Sequence, residues 1–176
     1  MIADSYYLQG RETRPLQAKG IGMDIILRNG TNADAELIIS YLKKLAKYEK
    51  MGDVCNITPA ALIKLMNEEN GLRAVIAEQD GVPVGMMTWY TYKIATFSGR
   101  RVFYIEDVFI EDGKRGCGIG TALFAEAKRL AEEIGCAKLE WKCLDWNTSA
   151  QKFYEKIGGK ISDSGWLTYT MEFNDK

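Results

Sequence analysis

The chain has 176 residues, about 1.2 times the length of an ordinary domain of roughly 150 residues. At 47% apolar and 27% charged residues, it has the composition of a globule long enough to bury a sizeable core. A net charge of −1 (23 basic against 24 acidic side chains) gives no general attraction for nucleic acid or for an anionic membrane. No uncharged stretch approaches the roughly 18 apolar residues of a bilayer span. Histidine is absent, which removes His-based triads, His metal ligands and imidazole bases. Chemistry is left to carboxylates, tyrosine, cysteine, lysine and backbone amides.

Cys55, Cys117, Cys136 and Cys143 show no CxxC spacing, so neither a disulfide scaffold nor a zinc site is expected, and no metal. A reducing, cytoplasmic compartment is the simplest reading. Cys136 and Cys143 are expected in the core. Cys117 lies in a glycine loop, with no neighbour in sequence that would activate it.

In chain order, 1–22 carries scattered charge, Pro15 and three glycines without apolar periodicity, and has no signal-peptide core. It reads as an N-terminal extension or an appended remnant, with the domain proper at 23–176. A strand is predicted over 24–28. A helix follows from the caps Asn32 and Asp34, with Leu37, Ile38, Tyr41, Leu42, Leu45 and Tyr48 at helical spacing, to Gly52. Thr58-Pro59 opens a second helix that runs toward Gly71. Strands are predicted at 72–78, 82–92 and 101–110, the first two joined by the turn Gln79-Asp80-Gly81. A helix with the stripe Ile119, Leu123, Ala127, Leu130 and Ile134 ends at Gly135. A buried strand at 137–143, a helix from Asn147 to Ile157, and strands at 160–164 and 166–173 complete an α/β chain with a mixed sheet.

The densest motif is Arg115-Gly116-Cys117-Gly118-Ile119-Gly120, between a strand and a helix. Alternating glycines allow left-handed backbone and close approach of a ligand, and the following helix start offers free N–H groups suited to a pyrophosphate. A dinucleotide fingerprint would need a small residue where Leu123 or Thr121 stands, and a P-loop would need Lys-Ser/Thr; neither fits.

Arg-x-x-Gly-x-Gly at 115–120 resembles the loop with which GNAT N-acetyltransferases cradle acetyl-CoA, and the predicted order of elements resembles theirs from 23 to 173. Leu45-Ala46-Lys47-Tyr48-Glu49, Tyr104-Ile105-Glu106-Asp107, Asp145-Trp146-Asn147, Phe153-Tyr154 and Gly165-Trp166 are similar to segments of the diamine (spermidine/spermine) acetyltransferases. The resemblance implies a GNAT fold, a mixed and mostly antiparallel sheet flanked by helices. It implies a cofactor site at Val108, Phe109, Ile110, Arg115, Gly116, Cys117, Gly118, Ile119, Gly120, Thr121 and Asn147, with acetyl-CoA as cosubstrate.

It also implies Glu106 at the acceptor amine, with Asp107, Tyr48 and Glu49 as further substrate contacts, and Tyr154 as the acid that protonates the leaving thiolate. Adjacent strand residues point to opposite faces, so one of Glu106 and Asp107 is expected to face the amine. Ser164 stands where the diamine enzymes carry an acidic residue before the Gly-Trp pair, which leaves room for a shorter, lysine-like amine. The expected activity is transfer of acetyl to a small cationic amine by direct attack in a ternary complex. The expected assembly is a homodimer with no nucleic-acid or membrane partner. The rivals are acetylation of a protein or peptide amine and a non-catalytic acyl-CoA-binding module.

Overall fold

A computed structural model of the protein describes residues 16–20, 23–91, 93–162, 165 and 168–171. The chain divides into two compact units, Met1–Lys142 and Cys143–Lys176.

The first unit is built on a sheet. Strands β1 (Leu16–Gly20), β2 (Met23–Asn29), β3 (Arg73–Gln79), β4 (Val82–Tyr90) and β6 (Arg100–Ile110) pair in that order, each antiparallel to the next. The short β5 (Ile94–Ala95) pairs with the start of β6, and β7 (Lys138–Glu140) runs parallel to it. Strand β1 lies within 1–22, the stretch read as an extension, and hydrogen-bonds along β2. The Asp80-Gly81 turn between β3 and β4 is the predicted one, with φ of 53° and 73°, the left-handed pair a tight hairpin requires.

Helices α1 (Ala35–Tyr48) and α2 (Pro59–Asn67) cover one face. Ile38, Ile39 and Tyr41 of α1 and Leu62 of α2 pack with Ile76, Met86 and Phe109 of the sheet, and the Tyr41 and Phe109 rings lie 4.9 Å apart. Entry into α1 is held by Asp34, which accepts from the Thr31 N–H at 2.8 Å and is gripped by both terminal nitrogens of Arg28 at 2.9 and 2.8 Å. Thr58 caps α2 by accepting from the Ala61 N–H, with Pro59 at the first helical position as predicted. Helix α3 (Ile119–Ile134) presents the buried stripe Ile119, Leu123, Ala127 and Leu130, and packs on β2, β3, β4, β6 and β7.

The second unit contains α4 (Thr148–Lys156), capped by Asn147 Oδ1, which accepts from the Ala150 N–H at 3.2 Å.

Three expectations are corrected. The strand predicted over 137–143 is reduced to Lys138–Glu140, because only these residues find a ladder partner in Val102–Tyr104. Cys143, expected in the core with Cys136, is exposed, whereas Cys136 is buried. The closing strands at 160–164 and 166–173 do not form at the described residues, where Ile161, Tyr169 and Met171 are exposed; an apolar run becomes a strand only with a partner for its backbone. Ser164 and Trp166 lie outside the described residues, as does position 92 of the strand predicted to end there.

Candidate active site

Strand β6 organises the site. Its ladder with β7 covers Val102–Tyr104 only, so among the described residues no strand lies along that edge from Ile105 to Ile110. Val108, Phe109 and Ile110, the residues expected at the cofactor, lie along that stretch of the strand. The Phe109 side chain is buried against α1, while Val108 and Ile110 are half-buried.

On the β4 side, Thr88 pairs with Asp107 and Trp89 with Ile105, so Glu106 is an extra residue at a β-bulge. The bulge leaves the Glu106 side chain exposed. It turns Asp107 inward, where it receives a 2.7 Å hydrogen bond from Thr88 Oγ1.

Asp107 and Glu49, at the end of α1, line a common pocket of about 280 Å³. Leu42, Leu45, Met51, Val54 and Ile57 form its apolar wall, and the half-buried Cys55 lies among them. Burial pushes the Glu49 carboxyl above the usual range, and the negative charge of Asp107 adds to the shift. The Asp107 carboxyl is raised as well, chiefly by burial and further by the Glu106 charge; the Thr88 bond opposes the rise. The pocket has two carboxyls whose ionisation is disfavoured, and among the described residues none of those lining it is basic. Such a site gains most from a cation that brings both into their charged form.

Past β6, Gly116 and Gly118 adopt φ of 80° and 88°, and a Cβ on either would meet open space. These glycines are there for backbone conformation, since an added side chain would meet no neighbour at either position. Gly118 is the N-cap of α3 and has no side-chain cap, so the N–H groups at Ile119, Gly120 and Thr121 begin a 16-residue helix uncovered by any capping side chain. The Ile119 side chain itself is core, at 0% exposure. Cys117 is exposed. Arg115 pairs with Asp112 at 3.3 Å, and its guanidinium carbon sits 4.7 Å from the centre of the Tyr48 ring. This cradle of amides, glycines and one guanidinium fits a pyrophosphate.

The structure thus brings Glu49 and Asp107 together and places Tyr48 against Arg115; Tyr48 is not among the residues lining the pocket. Thr88 and the 51–57 segment were not legible as site residues: the first sits inside an apolar run, and the second shows no motif. In the second unit, Tyr154 is half-buried, with its ring centre 5.5 Å from that of Phe153.

The model of the acetyltransferase (GNAT) family matches residues 44–159. The chain belongs to this family. It is accordingly an N-acetyltransferase, of a family that uses acetyl-CoA. A thialysine N-epsilon-acetyltransferase from Sus scrofa is 29% identical over 158 residues, 84% of this chain and 92% of that protein. Its counterpart from Caenorhabditis elegans is 32% identical over 142 residues, covering 78% and 86%. Among solved structures, an aminoglycoside acetyltransferase from an uncultured soil metagenomic sample superposes with a TM-score of 0.71 at 19% identity, covering 84% of this chain and 97% of that one. That likeness shows the GNAT fold. Among the described residues no group of three or more His, Cys, Asp or Glu is arranged to hold a metal, and no helix is long and apolar enough to cross a membrane.

Proposed function

We propose that this GNAT enzyme acetylates the terminal primary amine of a small cationic acceptor, with a lysine-like amine preferred to a long polyamine. The observation that carries this is the Glu49–Asp107 pair in a small, apolar-walled pocket beside the strand that leads into the phosphate loop. A short methylene chain suits the wall and one ammonium suits the pair. The relatives from pig and nematode, both thialysine N-epsilon-acetyltransferases, support the same class.

A primary amine has a pKa near 10.4, so about one molecule in 2,500 is neutral at pH 7, a deficit of about 4.6 kcal/mol. The carboxylates of Glu49 and Asp107 hold the ammonium. Glu106, exposed at the bulge, accepts its proton through a water. Arg115, the amides of Gly116–Gly120 and the start of α3 hold the pyrophosphate, and Asn147 bonds the pantetheine arm. Bound acetyl-CoA supplies an activated thioester. The amine attacks directly in a ternary complex: the C–N bond forms, the C–S bond breaks, and the Tyr154 phenol gives its proton to the thiolate. A homodimer, on the strength of the family resemblance, and a cytoplasmic compartment, on the strength of the cysteine pattern, complete this reading.

Thiol release from acetyl-CoA across thialysine, lysine, spermidine, spermine, putrescine and a basic peptide tests it. The expected ranking places thialysine or lysine first. A leading rate with spermine would move the acceptor to the polyamines. A leading rate with the peptide would favour a protein acetyltransferase, and CoA binding without turnover would favour a regulatory module.

A further inference from the structure

Helix α1 ends with two side chains four residues apart that both reach the segment before the glycine loop. Lys44 Nζ bonds Glu111 Oε1 at 2.5 Å and lies 5.5 Å from the centre of the Tyr41 ring. One turn on, the Tyr48 ring carries the Arg115 guanidinium. The contacts are therefore in step, 44 with 111 and 48 with 115, so one face of α1 holds both ends of the turn that presents Arg115. The Lys114 side chain fixes the middle of that turn by donating to the buried Gln79 at 2.7 Å.

We propose that Tyr48 is a positioning residue for Arg115, setting the cofactor's phosphate clamp rather than walling the acceptor pocket. The proposal rests on the reading of 115–120 as the pyrophosphate site. A guanidinium carries all its N–H donors on its rim, and contact with an aromatic ring consumes none of them. Held by Tyr48, the arginine keeps its donors for phosphate oxygens and loses less side-chain freedom when they bind. Its other contact, Asp112, has a side chain 94% exposed and yields readily to a phosphate. Tyr48 immediately precedes Glu49, so the last turn of α1 serves the cofactor with one residue and the acceptor with the next.

The test compares acetyl-CoA with acetyl-pantetheine, which keeps the thioester and lacks the pyrophosphate, in wild type, Tyr48→Ala, Tyr48→Phe, Arg115→Ala and the Tyr48→Ala/Arg115→Ala double variant. Tyr48→Ala is expected to raise the acetyl-CoA KM about two- to fivefold, the size of an exposed cation–π contact. The amine KM and the kcat/KM for acetyl-pantetheine stay at wild-type values, Tyr48→Phe restores the acetyl-CoA KM, and the effect vanishes in the Arg115→Ala background. A rise in amine KM instead, an equal loss with both acyl donors, or an unchanged Tyr48→Ala effect without Arg115 would overturn the proposal. Wild-type protein that binds no CoA by calorimetry would overturn the phosphate-loop reading itself, a result separable from all of these.

Discussion

Thr88 and Asp107 close a small ring of hydrogen bonds across two strands. Thr88 Oγ1 donates to Asp107 Oδ2 at 2.7 Å and accepts from the Asp107 backbone N–H at 3.1 Å. Thr88 is wholly buried and Asp107 half-buried, so both bonds are partly shielded from water. The ring fixes the carboxylate's direction at the bulge and opposes the upward drift that burial imposes on its pKa. Thr88→Val keeps the shape and removes the donor. The Asp107 pKa should rise, and the acid limb of the pH profile of kcat/KM for the amine should move to higher pH. An unmoved limb would mean that Asp107 does not control acceptor capture.

Glu49 and Asp107 have folded-state pKa values above their ordinary ones. Stability from such groups is present below the ordinary value and is lost as pH rises through the raised one. Glu49→Gln and Asp107→Asn should therefore raise the Tm at pH 7.5 and converge on wild type near pH 3, as thermal unfolding at both pH values would show. The same variants should lose kcat/KM for the amine by on the order of 10- to 100-fold, the range for a charge-assisted hydrogen bond.

Asp34 behaves in the opposite sense. Arg28 and Thr31 hold its carboxyl at about 2, below the ordinary 3.8. Its contribution is present above the ordinary value and is lost as pH falls from there through about 2. Asp34→Asn should destabilise the protein by about 2 kcal/mol at pH 7. In denaturant titrations the difference from wild type should shrink steadily as pH falls below 4.

Gly118→Ala places a side chain at φ +88°, with open space around the new Cβ. The left-handed conformation costs about 1–2 kcal/mol, and relaxing it tilts the amides of the cradle. Calorimetry should show CoA binding weakened by on the order of tenfold, converting that cost at about 1.4 kcal/mol per decade.

Tyr154→Phe should lower kcat by on the order of 100-fold with CoA affinity unchanged, as expected for loss of a general acid. A wild-type rate would remove Tyr154 from the proton path.

Much of the site could be read locally. The demand for left-handed backbone at 116 and 118, the caps Thr58 and Asn147, and the stripes of α1 and α3 are each written in a few consecutive residues, because they answer to backbone sterics and helical period. The partition between Glu106 and Asp107 could not be read this way. Strict alternation assigns them opposite faces, but which one turns inward depends on the offset between Thr88–Asp107 and Trp89–Ile105, and that offset belongs to the pairing of two strands. At the described residues of 160–173 no strand forms, for the same reason: an alternating pattern states a preference, and a ladder needs a partner.

The loop motif, with the family resemblance it carries, was sufficient for the proposed acyl-donor side, where left-handed backbone at Gly116 and Gly118 is dictated by glycine. The resemblance named Glu49 and Asp107 for the proposed acceptor side, but their environment was decided in three dimensions. Glu49, Asp107 and the 51–57 wall come from distant parts of the chain, and the property that matters, two carboxyls raised by shared burial, exists only once the sheet and α1 have removed them from water.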